Sequence, residues 1–288
     1  MENHKSFIHE CQKEYESKVV KAAKLIARNM SNCPIVLLSG PSGSGKTTIA
    51  KDIENILCKK GYEAHTLSMD NYFRSLSNSE KDAVTEGTLS LEAPSRLDIP
   101  LLNEQIEKMI NCREVELPVY NFEISKQLPS GISLKRKQGE IIIFEGIHAL
   151  NPNVISVDGA STEKIYVSVR TRVKNGGVVL HPSKIRLLRR MLRDKLYRGR
   201  SFQKTVERFF EVEQGEKDYI MPYKNFANHH IDTFIPYEMG VYKSILKEET
   251  VLFKDNPVLT DIYEIFKDTE EISPKLVPKN ALIREFIG

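Results

Sequence analysis

Residues 40–47 read Gly-Pro-Ser-Gly-Ser-Gly-Lys-Thr, which matches the phosphate-loop pattern G-x-x-x-x-G-K-[ST]. Each residue type has a mechanical reason. Glycines let the backbone wrap closely, so that its N–H groups point inward at phosphate oxygens. A helix that follows aims its positive N-terminal end at the same anion. Gly40, Ser42, Gly43, Ser44 and Gly45 are therefore candidate nucleotide-binding residues. Lys46 is a mobile cation for the terminal phosphates, and the Thr47 hydroxyl is a Mg²⁺ ligand. The motif predicts a bound nucleoside triphosphate and leaves open where the γ-phosphate goes.

Two carboxylates follow candidate strands and fall on the edge that faces such a loop. Glu145 closes Ile141-Ile142-Ile143-Phe144-Glu145-Gly146 and is placed to hold Mg²⁺, directly or through water. Asp70 ends the stretch 63–69 and could take the proton from an acceptor hydroxyl, or orient it. A third feature is a basic helix. Eight Lys or Arg residues lie between 184 and 200, opposed there by Asp194 alone. Ile185, Leu188, Leu192 and Leu196 form its expected core stripe, while Arg186, Arg190 and Arg193 share another face. Three readings are open for it: a solvated basic face, an RNA contact, or an arginine-rich lid over the triphosphate. The lid is preferred, because fixed guanidinium groups stabilise the charge of a transferring phosphoryl group and a closed lid excludes water.

The elements that must position these groups are short. Ile35-Val36-Leu37-Leu38 is a continuous apolar run, as expected of a strand buried on both faces of a parallel sheet. A polar-rich helix over 5–30 precedes it, and a helix over about 46–60 follows the glycine loop. Further strands are expected at 63–69, 141–144, 164–169 and 230–235, with a hairpin at 114–120 and 132–137. Helices are expected at 100–112, 182–197, 203–212 and 238–247. Residues 74–96 are Ser-rich without clear periodicity and read as an excursion. The alternation predicts an α/β fold: a parallel sheet flanked by helices, with a small hairpin and the lid helix. The divisions expected are an N-terminal helix (1–32), a nucleotide-binding domain (33–250) and a packed C-terminal extension (251–288).

Composition excludes other classes. The 288 residues are 40% hydrophobic, enough for a real core, and the net charge is +3, which argues against a nucleic-acid coat protein. The four cysteines form no C-x-x-C pair, so a disulfide framework or zinc site is not expected and a reducing, cytoplasmic setting fits. No apolar run approaches the length of a membrane span, and the N-terminus lacks a signal-peptide profile. There is no N-K-x-D, D-x-x-G or L-S-G-G-Q motif, against a GTPase or an ABC-type ATPase.

Together these features resemble the uridine kinase/phosphoribulokinase family. Residues 39–48 look like its P-loop, which brings in Thr48, and 67–73 look like the segment with its catalytic Asp, here Asp70, and imply Tyr72 as a substrate residue. Leu97-Asp98 is similar to its Phe-Asp, implying that Asp98 holds a ribose. Leu117-Pro118-Val119-Tyr120-Asn121-Phe122 resembles its base pocket, implying Tyr120 and Phe122 as substrate residues. The resemblance further implies that Arg190 touches the ribose and that Arg193, Arg198 and Arg200 touch the ATP phosphates. A subgroup usually fused behind a TGS and synthetase-like region is still more similar, through 145–152, Gly215-Glu216 and 277–288; here only a helix precedes the P-loop. There are departures: the family's pyrimidine-contacting His is Ser125, its aromatic before the ribose Asp is Leu97, and a Gln after the lid is Arg208. The implied activity is an ATP- and Mg²⁺-dependent kinase. Its acceptor is a small-molecule hydroxyl, first the 5′-OH of uridine or cytidine and alternatively another alcohol such as a sugar phosphate or vitamin precursor. A nucleotide-dependent switch binding RNA is the rival. Family members are often dimers or tetramers, so a homo-oligomer is part of the expectation.

Overall fold

The computed structural model describes residues 2–31, 33–157 and 162–288. Chain order begins with α1 (Glu2–Asn29), β1 (Ile35–Ser39), α2 (Lys46–Lys59), β2 (Ala64–Ser68), α3 (Asn78–Thr85) and α4 (Ile99–Ile110). It continues through β3 (Glu114–Asn121), β4 (Lys126–Lys135), β5 (Ile141–Glu145), β6 (Thr162–Ser168), β7 (Val173–Asn175) and β8 (Val178–Leu180). It ends with α5 (Pro182–Arg198), α6 (Phe202–Glu207), α7 (Phe209–Tyr219), β9 (His229–Asp232), α8 (Glu238–Ile245), α9 (Thr260–Asp268) and α10 (Arg284–Ile287).

The central sheet has five parallel strands in the order β2-β5-β1-β6-β9. Its apolar runs are continuous because both faces are covered. Val36, Leu38, Ile141, Ile143, Ile165 and Val167 face a layer built from α1, α2 and the C-terminal residues 272–286. Ile35, Leu37, Ile142, Phe144 and Tyr166 face the opposite layer, with α4 and the segment after β5. A third cluster joins α5 to α8 and α9. α1 packs along α2, and the Tyr15 hydroxyl donates to Asp52 at 2.7 Å. No helix among the described residues is long and apolar enough to cross a membrane.

Several local expectations are corrected. The 74–96 excursion contains α3, started by a capping box in which the Ser77 hydroxyl takes the Glu80 amide and the Glu80 carboxylate takes the Ser77 amide. The second hairpin strand starts at Lys126 rather than 132; its side chains are mostly exposed, so no hydrophobic alternation marks it. The helix expected over 203–212 is two helices, α6 and α7. On α5, Leu196 is 53% exposed, and Leu187 and Met191 take the core positions beside Ile185, Leu188 and Leu192.

Candidate active site

β1 delivers the glycine loop to the carboxyl edge of the sheet, where β2 and β5 also end. Gly40 passes so close to β6 that a Cβ would drive into the Val167 carbonyl, and Gly45 turns the chain into α2 at φ +85°. Only glycine satisfies both. Lys46 crosses back and donates to the Pro41 carbonyl at 3.3 Å. The Thr47 hydroxyl donates to Glu145 at the end of β5 at 3.2 Å, and the Ser68 hydroxyl donates to the same Glu145 oxygen at 2.9 Å. Ser68 also accepts from the Asp70 amide at 3.4 Å, starting the turn that presents Asp70.

The loop borders a cavity of about 470 Å³. Ser42, Gly43, Gly45, Lys46 and Thr47 form its floor, and Asp70 and Glu145 one wall. Arg193 and Arg198, from the end of α5, and Arg200, just past it, also line the cavity. Of the other loop residues, Gly40 is wedged against β6, Ser44 is fully buried behind the loop, and Thr48 is bound to Glu285.

Burial pushes the carboxyl of Asp70 above the ordinary range, against the pull of Lys46, Arg198 and Arg193. Glu145 is raised for the same reason, with Lys46 opposing and Asp70 reinforcing. Arg190 borders an adjoining recess with Glu92 and Arg208, and burial lowers its guanidinium to about 10. Glu92, which residue spacing gave no reason to select, is a cavity carboxylate raised by burial and steadied by Arg190 and Lys46.

The α5 cations separate into two sets. Arg186, Arg189 and Arg190 are at most 7% exposed, so the helix is not a solvated basic face. Lys184 pairs with Asp261, Arg186 with Glu216, Arg189 with Glu238 and Lys195 with Glu249. These pairings tie up half of the eight cations within the protein. Asp194 takes two hydrogen bonds from Arg193 and lies 3.4 Å from Arg198, so it orders the arginines that remain at the cavity. Gly199, at φ +58°, ends the helix and turns Arg200 inward.

Phe73, Leu91, Phe122 and Arg200 line both the cavity and a neighbouring chamber of about 280 Å³. Tyr120 and Phe122 meet edge to face at 5.0 Å, and Phe73 lies 5.6 Å from Tyr120. Arg96, 2% exposed, reaches over Phe73 and donates to the Tyr120 hydroxyl at 3.4 Å. Ser125 lines this chamber in a left-handed conformation, φ +56°. Two residues expected near the acceptor are engaged elsewhere. The Tyr72 ring is in the core with its hydroxyl donating to Gln105 at 2.8 Å, and Asp98 caps α4 by accepting the Leu101 amide at 3.2 Å. Leu97 is buried and bridged to Phe73, while Arg208 lines the cavity and is held by Glu211.

A parallel sheet with a glycine loop and Lys-Thr at its carboxyl edge, facing carboxylates and arginines across a cavity, defines a P-loop α/β phosphotransferase. The comparisons make this specific. The model of the phosphoribulokinase/uridine kinase family matches residues 35–236, and the chain belongs to that family. It is a kinase. It is 30% identical over 200 residues to a uridine kinase from Staphylococcus aureus, covering 69% of this chain and 87% of the relative. Among solved structures, a putative fructose transport system kinase from a Silicibacter species superimposes with a TM-score of 0.53 at 16% identity, covering 74% of this chain and 98% of that one. D-glycerate 3-kinase from Cryptococcus neoformans gives 0.50 at 16% identity, covering 75% and 89%. These two establish the shared fold.

Proposed function

We propose that the kinase transfers the γ-phosphoryl group of ATP to a small-molecule hydroxyl, with the 5′-OH of uridine or cytidine as the first acceptor class. The observation that carries this reading is that Asp70, Lys46, Arg193 and Arg198 line one cavity, and that Phe73 and Phe122 line both it and a neighbouring aromatic chamber. In this reading the loop amides and Lys46 hold the phosphates, and Asp70 accepts the proton of the attacking hydroxyl. Burial raises its basicity for that task. Arg193, Arg198 and Arg200 stabilise the charge that spreads over the phosphoryl oxygens. Thr47 and Glu145 offer hard oxygen donors side by side, the donor chemistry that suits Mg²⁺, and they would hold it. When bound, Mg²⁺ neutralises charge on the phosphate oxygens.

The Tyr120 and Phe122 rings suit a flat base, and Arg190 with Glu92 suits sugar hydroxyls. The uridine kinase relative supports a nucleoside. A second reading, another alcohol on the same machinery, is favoured by Ser125 at the base-reading position and by Asp98 serving as a helix cap. ADP release in a coupled assay, run over nucleosides, sugar phosphates and other alcohols, tests both. Stimulation by uridine or cytidine supports the first reading and stimulation by another alcohol the second. No stimulation above hydrolysis by any of them refutes acceptor phosphorylation.

A further inference from the structure

The α2 helix begins without a side-chain cap: its N-cap is Gly45. The amides of its first turn are therefore open to an anion, and in a phosphate loop they serve the bound polyphosphate. Thr48 lies in that turn. Its amide donates to Glu285 at 3.3 Å and its hydroxyl donates to the same carboxylate oxygen at 2.5 Å. Glu285 also borders the cavity. An anion from the far end of the chain thus already occupies part of the anion seat.

The segment that carries it is firmly held. Ala281, Leu282, Ile283 and Phe286 are buried, and Leu282 lies against Gly45, where an added Cβ would come within 2.9 Å of it. Phe286 lies under the Arg189 guanidinium at 5.1 Å. Arg284 donates to the backbone carbonyls of Pro274, Val277, Pro278 and Gly288. Glu285 is a local contact on a rigid base, so a phosphate reaching Thr48 must displace that carboxylate or sit against its like charge.

We propose that Glu285 is a donor-site residue that weakens nucleoside triphosphate binding by competing for the Thr48 seat, so that triphosphate binding breaks the Glu285–Thr48 contact while the buried residues around it keep the segment in place. This rests on the donor-site reading above. The test is calorimetric titration of ATP and of inorganic tripolyphosphate into the wild type, Glu285→Gln and Glu285→Ala, with hydrogen exchange of 281–288 in the wild type. The expected result is about 5- to 20-fold tighter binding of both ligands by both variants, and faster exchange confined to the turn around Glu285 when ATP is bound. Equal or weaker binding by the variants overturns the proposal, as does slower exchange in that segment. If ATP binds the wild type without the gain, only this proposal falls; if neither ligand binds any of the three proteins, the donor-site reading falls with it.

Discussion

Glu238→Gln tests how the phosphate loop is held in place. Arg189 and Glu238 are both 0% exposed and form a two-point pair at 2.8 and 2.9 Å. Burial alone would disfavour the charged guanidinium, and Glu238 more than restores it, raising its pKa. The pair braces the loop from behind: Arg189 donates to the Gly43 carbonyl at 3.2 Å and to the Thr233 carbonyl at 2.7 Å, and the Thr233 hydroxyl donates to the Ser44 carbonyl at 2.7 Å. Glu238 also accepts from the Ile235 amide and the Tyr242 hydroxyl. Removing the negative charge leaves an uncompensated buried cation, which costs about 3–5 kcal/mol. For a chain of this size that lowers Tm by roughly 10 °C. Urea unfolding gives the energy and ATP titration the effect on the loop, where weaker binding is expected. Replacing both partners, Arg189→Met with Glu238→Leu, should cost less than the two single changes summed. A loss below about 1 kcal/mol for Glu238→Gln, or strict additivity in the double variant, would refute the brace.

Three further outcomes follow from the same geometry. Glu92→Gln should raise the acceptor KM about 10-fold or more, the worth of a charge-assisted hydrogen bond, while ATP affinity stays within a few-fold; steady-state kinetics in both substrates separates the two. Gly40→Ala should abolish triphosphate binding in a titration, because the Cβ meets the Val167 carbonyl and pushes the loop off β6. His148 is 2% exposed, hydrogen-bonded to the Glu92 carbonyl at 2.9 Å and lowered by burial to about 4. Its folded pKa lies below the unfolded value near 6.5, so the folded state loses stability as pH falls from there toward 4. Between pH 7 and 5 that loss is about 2 kcal/mol; urea melts at the two pH values should show it in the wild type and not in His148→Gln.

Much of this site is local in sequence. The loop, the strand before it and the helix after it occupy adjacent residues, and Glu145 and Asp70 are found by counting to the ends of strands. The residues that escaped are brought in over long separations. Glu285 meets Thr48 and Glu238 meets Arg189 only after the C-terminal layer has closed over α2 and α5. Glu92 and Arg96 sit in a stretch without hydrophobic periodicity, whose order comes from α3 and a turn rather than from a repeating apolar face. Two features of the fold do leave a local signal in the sequence: the Ser77-x-x-Glu80 capping pattern, and Gly176-Gly177 between the short strands β7 and β8. The basic run of α5 was legible as a cluster, but the division of its cations into buried braces and cavity arginines depends on partners that sequence spacing does not reveal.

In the proposed reaction Asp70 activates an acceptor hydroxyl toward a triphosphate held by the loop. Transfer of label from γ-labelled ATP to the best acceptor, measured for the wild type and Asp70→Asn alongside ATP affinity, tests it most directly. The expected result is a fall in kcat of about 10²- to 10⁴-fold with ATP affinity little changed. Transfer retained near the wild-type rate in Asp70→Asn would contradict it.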